Sequence, residues 1–160
     1  MRQYLIATAA LGLLALSGCE TTPDCNDSGC NDSGACADGA VVPGSEADFK
    51  KSVKDRIFFN TNKANLDHED HETIKAQAEW LAKWPSVNAT VEGHADERGT
   101  TEYNMALGER RAHAAKKALI KAGVDKKRLE TVSYGKEHPE ALGHDEAAWK
   151  QNRRAVTVIR

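Results

Sequence analysis

The chain has 160 residues, with 22 lysines and arginines against 24 aspartates and glutamates and a formal charge of −2. That length suggests one domain with appendages, and the mixed charge leaves no strong basic field to hold nucleic acid. Hydrophobic residues make up 40% and aromatics only 6%, so the core is expected to rely on Ala, Val, Leu and Ile.

Residues 1–18 read as an export signal. Arg2 is the charged start, and Leu5 to Leu16 is an apolar run too short for a comfortable transmembrane helix. Leu16-Ser17-Gly18-Cys19 closes the run with small residues before a cysteine. This resembles a bacterial lipobox, and the resemblance implies cleavage before Cys19 and lipidation of its thiol. The plainer alternative is ordinary secretory cleavage beside an incidental cysteine. Several acyl chains anchor stably where one binds only marginally. Glu20 stands where lipoproteins retained in the inner membrane typically carry Asp. The resemblance therefore implies the outer membrane, with the protein facing the periplasm.

From Cys19 to about Ser45 the chain is rich in Asp, Asn, Ser and Gly. It has too few large apolar residues to offset the entropy of ordering, so it reads as a flexible tether. Asp24, Asn26 and Ser28 before Gly29 faintly resemble a calcium loop. Ala35 stands where such a loop needs its bidentate Glu, so that reading fails. Cys25, Cys30 and Cys36 remain. In an oxidising compartment one pair is expected to bridge, and the leftover thiol could link two chains or be capped by a small thiol. A zinc site is poorly specified there, with no histidine nearby in sequence.

The domain is expected over residues 46–160. Arg56-Ile57-Phe58-Phe59 reads as its first strand, followed by the polar loop Asn60-Thr61-Asn62-Lys63. A helix begins near Asp67 and runs to about Lys83, with Ile74, Ala78 and Leu81 as its apolar stripe. Asp67, Glu69, Asp70 and Glu72 suit the positive end of its dipole. Trp84-Pro85 ends it. Thr90 and Val91 suit a strand that closes at Gly93. Thr101 with Glu102 suits the start of a helix that runs to about Ala122, with Gly123 as its stop. Leu129 to Tyr134 reads as a strand, Ala141 to Gln151 holds a short helical piece, and Arg154 to Ile159 alternates as the last strand. The order predicts a two-layer α/β (α+β) sandwich, with helices on one face of a mixed sheet.

The second helix carries a charged residue on its apolar side. With Leu107 as the centre of the buried face, Tyr103, Ala114, Ala118 and Arg111 fall within about 40° of it. A desolvated arginine needs a partner. Asp96, at the end of the preceding strand, is a credible one. The two either bridge within the fold or share a ligand.

Gly93-His94-Ala95-Asp96-Glu97-Arg98-Gly99-Thr100, Asn104 to Ala112, and Val132 to Glu137 closely resemble the OmpA-like peptidoglycan-binding domain. The match runs from about Ile57 to the C-terminus. The resemblance implies binding of peptidoglycan peptide stems at diaminopimelate, whose side chain ends in an ammonium and a carboxylate. Asp96 and Arg111 are the positions that match the family's Asp and Arg. Phe59, Asn60, Arg98 and Leu107 carry over as lesser contacts. Asn60 replaces an aspartate usual in the family, which removes a negative charge and keeps hydrogen bonding. Arg111→Ala is expected to abolish wall binding and leave the fold intact.

Gly143-His144-Asp145-Glu146-Ala147-Ala148 and Asn152-Arg153-Arg154-Ala155-Val156 narrow the resemblance to the lipoproteins of the family that work with TolB and the Tol system at division. A wall-binding lipoprotein outside that system is the alternative. No enzyme is expected: the chain has no Gly-x-Ser-x-Gly elbow, phosphate loop or zinc-protease motif. No cofactor is expected either. His68 and His71 could share a metal but lack a clear third ligand. His94 and His113 read as supporting polar residues beside the site.

Overall fold

The computed structural model describes residues 41–160. The export signal, Cys19, the tether up to residue 40 with Cys25, Cys30 and Cys36, and the failed calcium loop lie outside the described residues.

Helix α1 (Glu46–Ser52) comes first and has no counterpart among the expected elements. It is short and has a single apolar anchor, so it offers no period to read. Ser45 caps it, its Oγ accepting from the Asp48 N–H at 3.2 Å. Phe49 is fully buried and packs edge-on against Trp80 with ring centroids 4.9 Å apart. The Trp80 indole N–H donates to the Asp48 carboxylate at 3.1 Å.

Strands β1 (Arg56–Phe58), β2 (Ala89–His94), β3 (Leu129–Gly135) and β4 (Arg154–Ile159) form one sheet in the order β1-β4-β2-β3. β4 is antiparallel to both neighbours, while β2 and β3 are parallel. A parallel pair needs a crossover, and α3 (Thr101–Lys121) supplies it. α2 (His68–Lys83) and α3 cover one face of the sheet, and α4 (Glu146–Asn152) leads into β4. The mixed sheet with its helix layer is the expected architecture.

Alternation along the strands decides what the helices touch. Ile57, Ala155, Gly93 and Ser133 form one cross-strand row on the helix side. The core gathers Ile57, Ile74, Val91, Leu119 and Leu129 around several alanines. Aromatics contribute more than their number suggests: Phe49, Phe59 and Trp80 are all in the core cluster. One buried polar bridge crosses the layers. The Gln77 amide N–H donates to the Lys54 carbonyl at 2.6 Å, and its oxygen accepts from the Thr157 hydroxyl at 2.9 Å. At the end of α2, Arg128 donates to the carbonyls of Leu81, in the helix's last turn, and of Trp84 and Val87, in the cap and loop that follow, and so pins the end of the helix.

The buried face of α3 differs from expectation. Asn104, Leu107, Gly108, Arg111, Ala112, Ala115, Ala118 and Leu119 are buried. Their mean direction lies about 70° round from Leu107. Tyr103, expected near the centre, is 42% exposed, and Ala114 is only half-buried. The cause is Gly108. A Cβ on Gly93 would meet the Gly108 carbonyl oxygen at 1.9 Å, so helix and strand touch backbone to backbone. That contact rolls the helix until Arg111 lies near the middle of its buried side.

Candidate functional site

Two loops and one helix turn meet where β1 and β2 end. After β1 come Phe59 and Asn60; after β2 come Asp96 and Arg98; α3 brings Leu107 and Arg111. β2 leaves its partner by a register shift between Gly93 and His94, so that His94 stands opposite Gly135. Such a bulge re-aims the chain that follows. Ala95 donates back to the Gly135 carbonyl at 2.8 Å, and Asp96 opens the loop.

Arg111 is 0% exposed. Of the two alternatives left open for it, the bridge to Asp96 is not formed, and among the described residues no carboxylate lies within ion-pairing distance of it. Its partners are backbone carbonyls: His94 at 2.7 Å, Lys63 at 3.1 Å and Asn60 at 3.3 Å. The guanidinium also lies 5.3 Å from the centre of the Phe59 ring. Burial lowers its pKa to about 10, opposed by the nearby charge of Asp96. Arg111 therefore ties the Asn60–Lys63 loop to the end of β2. Leu107, one turn earlier, is buried beside it on the same helix face.

Asp96 is 7% exposed. Burial pushes its carboxyl up, but Arg98 and Arg153 outweigh burial and hold it below its usual range. Arg98 supplies both a backbone N–H at 3.3 Å and a guanidinium N–H at 2.5 Å. The Arg153 guanidinium stands 3.5 Å from the same carboxylate. Arg98 also reaches the Thr61 hydroxyl at 3.5 Å and so links the two loops. The Asn60 side chain is exposed, and its link to Arg111 runs through the carbonyl, so loss of the aspartate charge leaves that hydrogen bond untouched.

Arg153 is the site residue that motif reading passes over. It is buried, donates to the Phe59 carbonyl at 3.0 Å and to Glu146 at 2.7 Å, and approaches Asp96. Its signal was present in Asn152-Arg153-Arg154, but both arginines are buried, and two adjacent arginines where a strand begins do not say which one faces the site. The sum is one buried carboxylate faced by Arg98 and Arg153, with Arg111 behind them. Such a cluster suits a ligand end that carries its own carboxylate and ammonium.

The histidines divide differently from expectation. His94 is buried on the sheet face away from the helices and stacks on Tyr134 at 5.5 Å, so its carbonyl rather than its ring serves Arg111. Burial, and then Arg154, lower its pKa to about 4. His113 is exposed and pairs loosely with Glu109 at 3.6 Å. Among the described residues no group of three or more His, Cys, Asp or Glu could hold a metal.

His144 joins the site's rim, with Nδ1 2.7 Å from the Glu97 carboxylate. Their hydrogen bond and charge raise His144 and lower Glu97. The pair is complete above the depressed Glu97 pKa and below the raised His144 pKa. It is lost as pH rises through the latter. Proton NMR is expected to show His144 titrating above its ordinary 6.5, and returning to that value in Glu97→Gln. An unchanged midpoint in the variant would mean the contact is not held in solution.

Residues 58–153 match the OmpA family. A peptidoglycan-associated lipoprotein of Rhizobium meliloti is 48% identical over 96% of this chain and 86% of its own length. That of Agrobacterium fabrum is 47% identical over 91% and 82%. The crystal structure of the peptidoglycan-associated lipoprotein from Burkholderia pseudomallei superposes with a TM-score of 0.65 at 42% identity, covering 67% of this chain and 91% of that one. The C-terminal domain of Helicobacter pylori MotB, at 24% identity and a TM-score of 0.62, shares the fold.

Proposed function

This chain belongs to the OmpA family, among its peptidoglycan-associated lipoproteins, and from that premise we propose that it binds the peptide stems of peptidoglycan at diaminopimelate and holds the outer membrane to the wall. It is a structural protein and not an enzyme. The observation that carries the binding reading is the buried Asp96 carboxylate faced by Arg98 and Arg153, with Arg111 behind. The ligand's ammonium would go to Asp96 and its carboxylate to the guanidiniums. The Arg98 side chain is 38% exposed and meets the ligand first. Arg111 supplies its fork once the Asn60–Lys63 loop yields, since those carbonyls now cover it. Phe59, Asn60 and Leu107 shape the floor and wall of the same site.

Cys19 is the proposed lipid anchor, residues 19–45 the tether and residues 46–160 the binding domain. The lipoprotein relatives support this, since the alignment with the Rhizobium protein leaves out only a few residues of this chain. Anchoring at the periplasmic face of the outer membrane is part of the same proposal, supported by the lipoprotein relatives. Partnership with TolB and the Tol proteins rests on membership alone.

The test is a titration of the purified protein with a muropeptide containing diaminopimelate and with its lysine counterpart. Lysine lacks the terminal carboxylate. Binding of the first and not the second is expected. Equal binding of both would show that the arginines serve the fold alone.

A further inference from the structure

Three consecutive site residues each take a partner from one later segment, residues 144–153. Asp96 is approached by Arg153, Glu97 is held by His144 and Trp149, and Arg98 meets Trp149 and Glu146. The middle of that bracket is Trp149. Its half-buried indole lies under the Arg98 guanidinium, with Cζ 4.2 Å from the ring centre. Its Nε1–H also donates to Glu97 at 2.9 Å. The segment is itself pinned. The Asn152 side chain accepts from the backbone N–H groups of Glu140 and Ala141 and donates to the Ala141 carbonyl.

Arg98 needs such a support. It is the exposed guanidinium of the site, on a long side chain with many rotamers, beside a carboxylate it can pair with. Left free, it can swing out into water or turn both arms onto Asp96, which closes the carboxylate to any other cation. A guanidinium resting on an aromatic face keeps its in-plane N–H groups available. Here one arm reaches Asp96 and Thr61, while the other has only Glu146 at 3.8 Å.

Resting on the wall-binding reading above, we propose that Trp149 is a positioning residue for Arg98: it holds the guanidinium so that one arm stays on Asp96 and the other faces the ligand carboxylate. Trp149 touches no ligand itself and acts through Arg98. The face of the ring carries the effect, so phenylalanine retains most of it and alanine none.

The experiment is a double-mutant cycle on the full chain, with affinity for the diaminopimelate muropeptide read by calorimetry and Arg98 mobility read by relaxation of its Nε–H. Trp149→Ala is expected to weaken binding about three- to thirty-fold, the range of a partly exposed cation–π contact. Trp149→Phe stays within about two-fold of the wild type on the same grounds. Arg98→Ala with Trp149→Ala binds no worse than Arg98→Ala alone. Without ligand, the Arg98 Nε–H is ordered in the wild type and Trp149→Phe, and mobile in Trp149→Ala. Losses that multiply in the double variant would overturn the proposal, because Trp149 would then act independently of Arg98. So would an Arg98 already mobile in the wild type. A wild type with ordered Arg98 and no muropeptide binding overturns the wall-binding reading, and this role with it.

Discussion

Arg111→Met is expected to cost the domain about 2–4 kcal/mol of stability and to abolish wall binding in the same variant. Sequence alone suggests that the second loss comes without the first. The burial of Arg111 changes that expectation. Three carbonyls, of Asn60, Lys63 and His94, lose their donor at once. Only the His94 carbonyl is buried, and left unsatisfied it costs about 1–3 kcal/mol; the carbonyls of Asn60 and Lys63 are part-buried and add less, the first keeping the Lys63 N–H, while removing the cost of burying a cation offsets part of the sum. Arg111→Lys is expected to fall between wild type and Met. A single ammonium keeps the charge but cannot span three carbonyls with a planar fork. Thermal melts give the order, and co-sedimentation with purified sacculi gives the binding. A methionine variant within about 0.5 kcal/mol of the wild type, the range of an ordinary surface substitution, would show that the loop finds other donors. Arg111 would then belong to the ligand alone.

The elements were legible where a period or a stop was strong. The stripe Ile74, Ala78 and Leu81 marked α2, and Trp84-Pro85 marked its end. Gly123, at φ 104°, marked the end of α3 because a left-handed residue there closes the helix. α1 escaped because Phe49 is alone on it. The roll of α3 escaped for a different reason. A helical wheel weights hydrophobic side chains, and the residue that set the angle, Gly108, has none.

The site was legible as a set of loops and much less so as a set of pairs. Asp96, Arg98, Phe59, Asn60, Leu107 and Arg111 do converge. The pairing of Asp96 with Arg111 was inferred from opposite charge and proximity in the fold. In the structure Asp96 goes to the arginine two residues on, and Arg111 goes to main-chain oxygens. Backbone acceptors are present at every position and so give no sequence signal. Arg153 and Trp149 come from a segment about fifty residues downstream, and only the crossover through α3 and β3 brings them back.

Gly93→Ala is expected to be the most damaging small substitution in the domain, with a loss of about 3 kcal/mol or more and a melting temperature lowered by about 10 °C or more. The requirement is for space and not for an unusual backbone conformation, since Gly93 is not among the residues at positive φ. An added methyl would lie 1.9 Å from the Gly108 carbonyl oxygen and 2.6 Å from its carbon. Both are backbone atoms in the middle of a helix, so no side chain can turn aside to make room. α3 would have to lift from β2, and Arg111, less than a turn beyond Gly108, would lift with it from the His94 carbonyl. Gly108→Ala should be milder. Its shortest clash, 2.4 Å, is with the Ser133 hydroxyl, which can move if it gives up its 2.7 Å bond to the Met105 carbonyl, and its backbone clash, with the Gly93 carbonyl oxygen at 2.8 Å, asks for a much smaller shift than 1.9 Å does. Urea denaturation of the two variants gives the comparison. Equal costs would mean that the helix shifts easily along the sheet, and that Arg111 is placed by its three carbonyls rather than by the glycine contact.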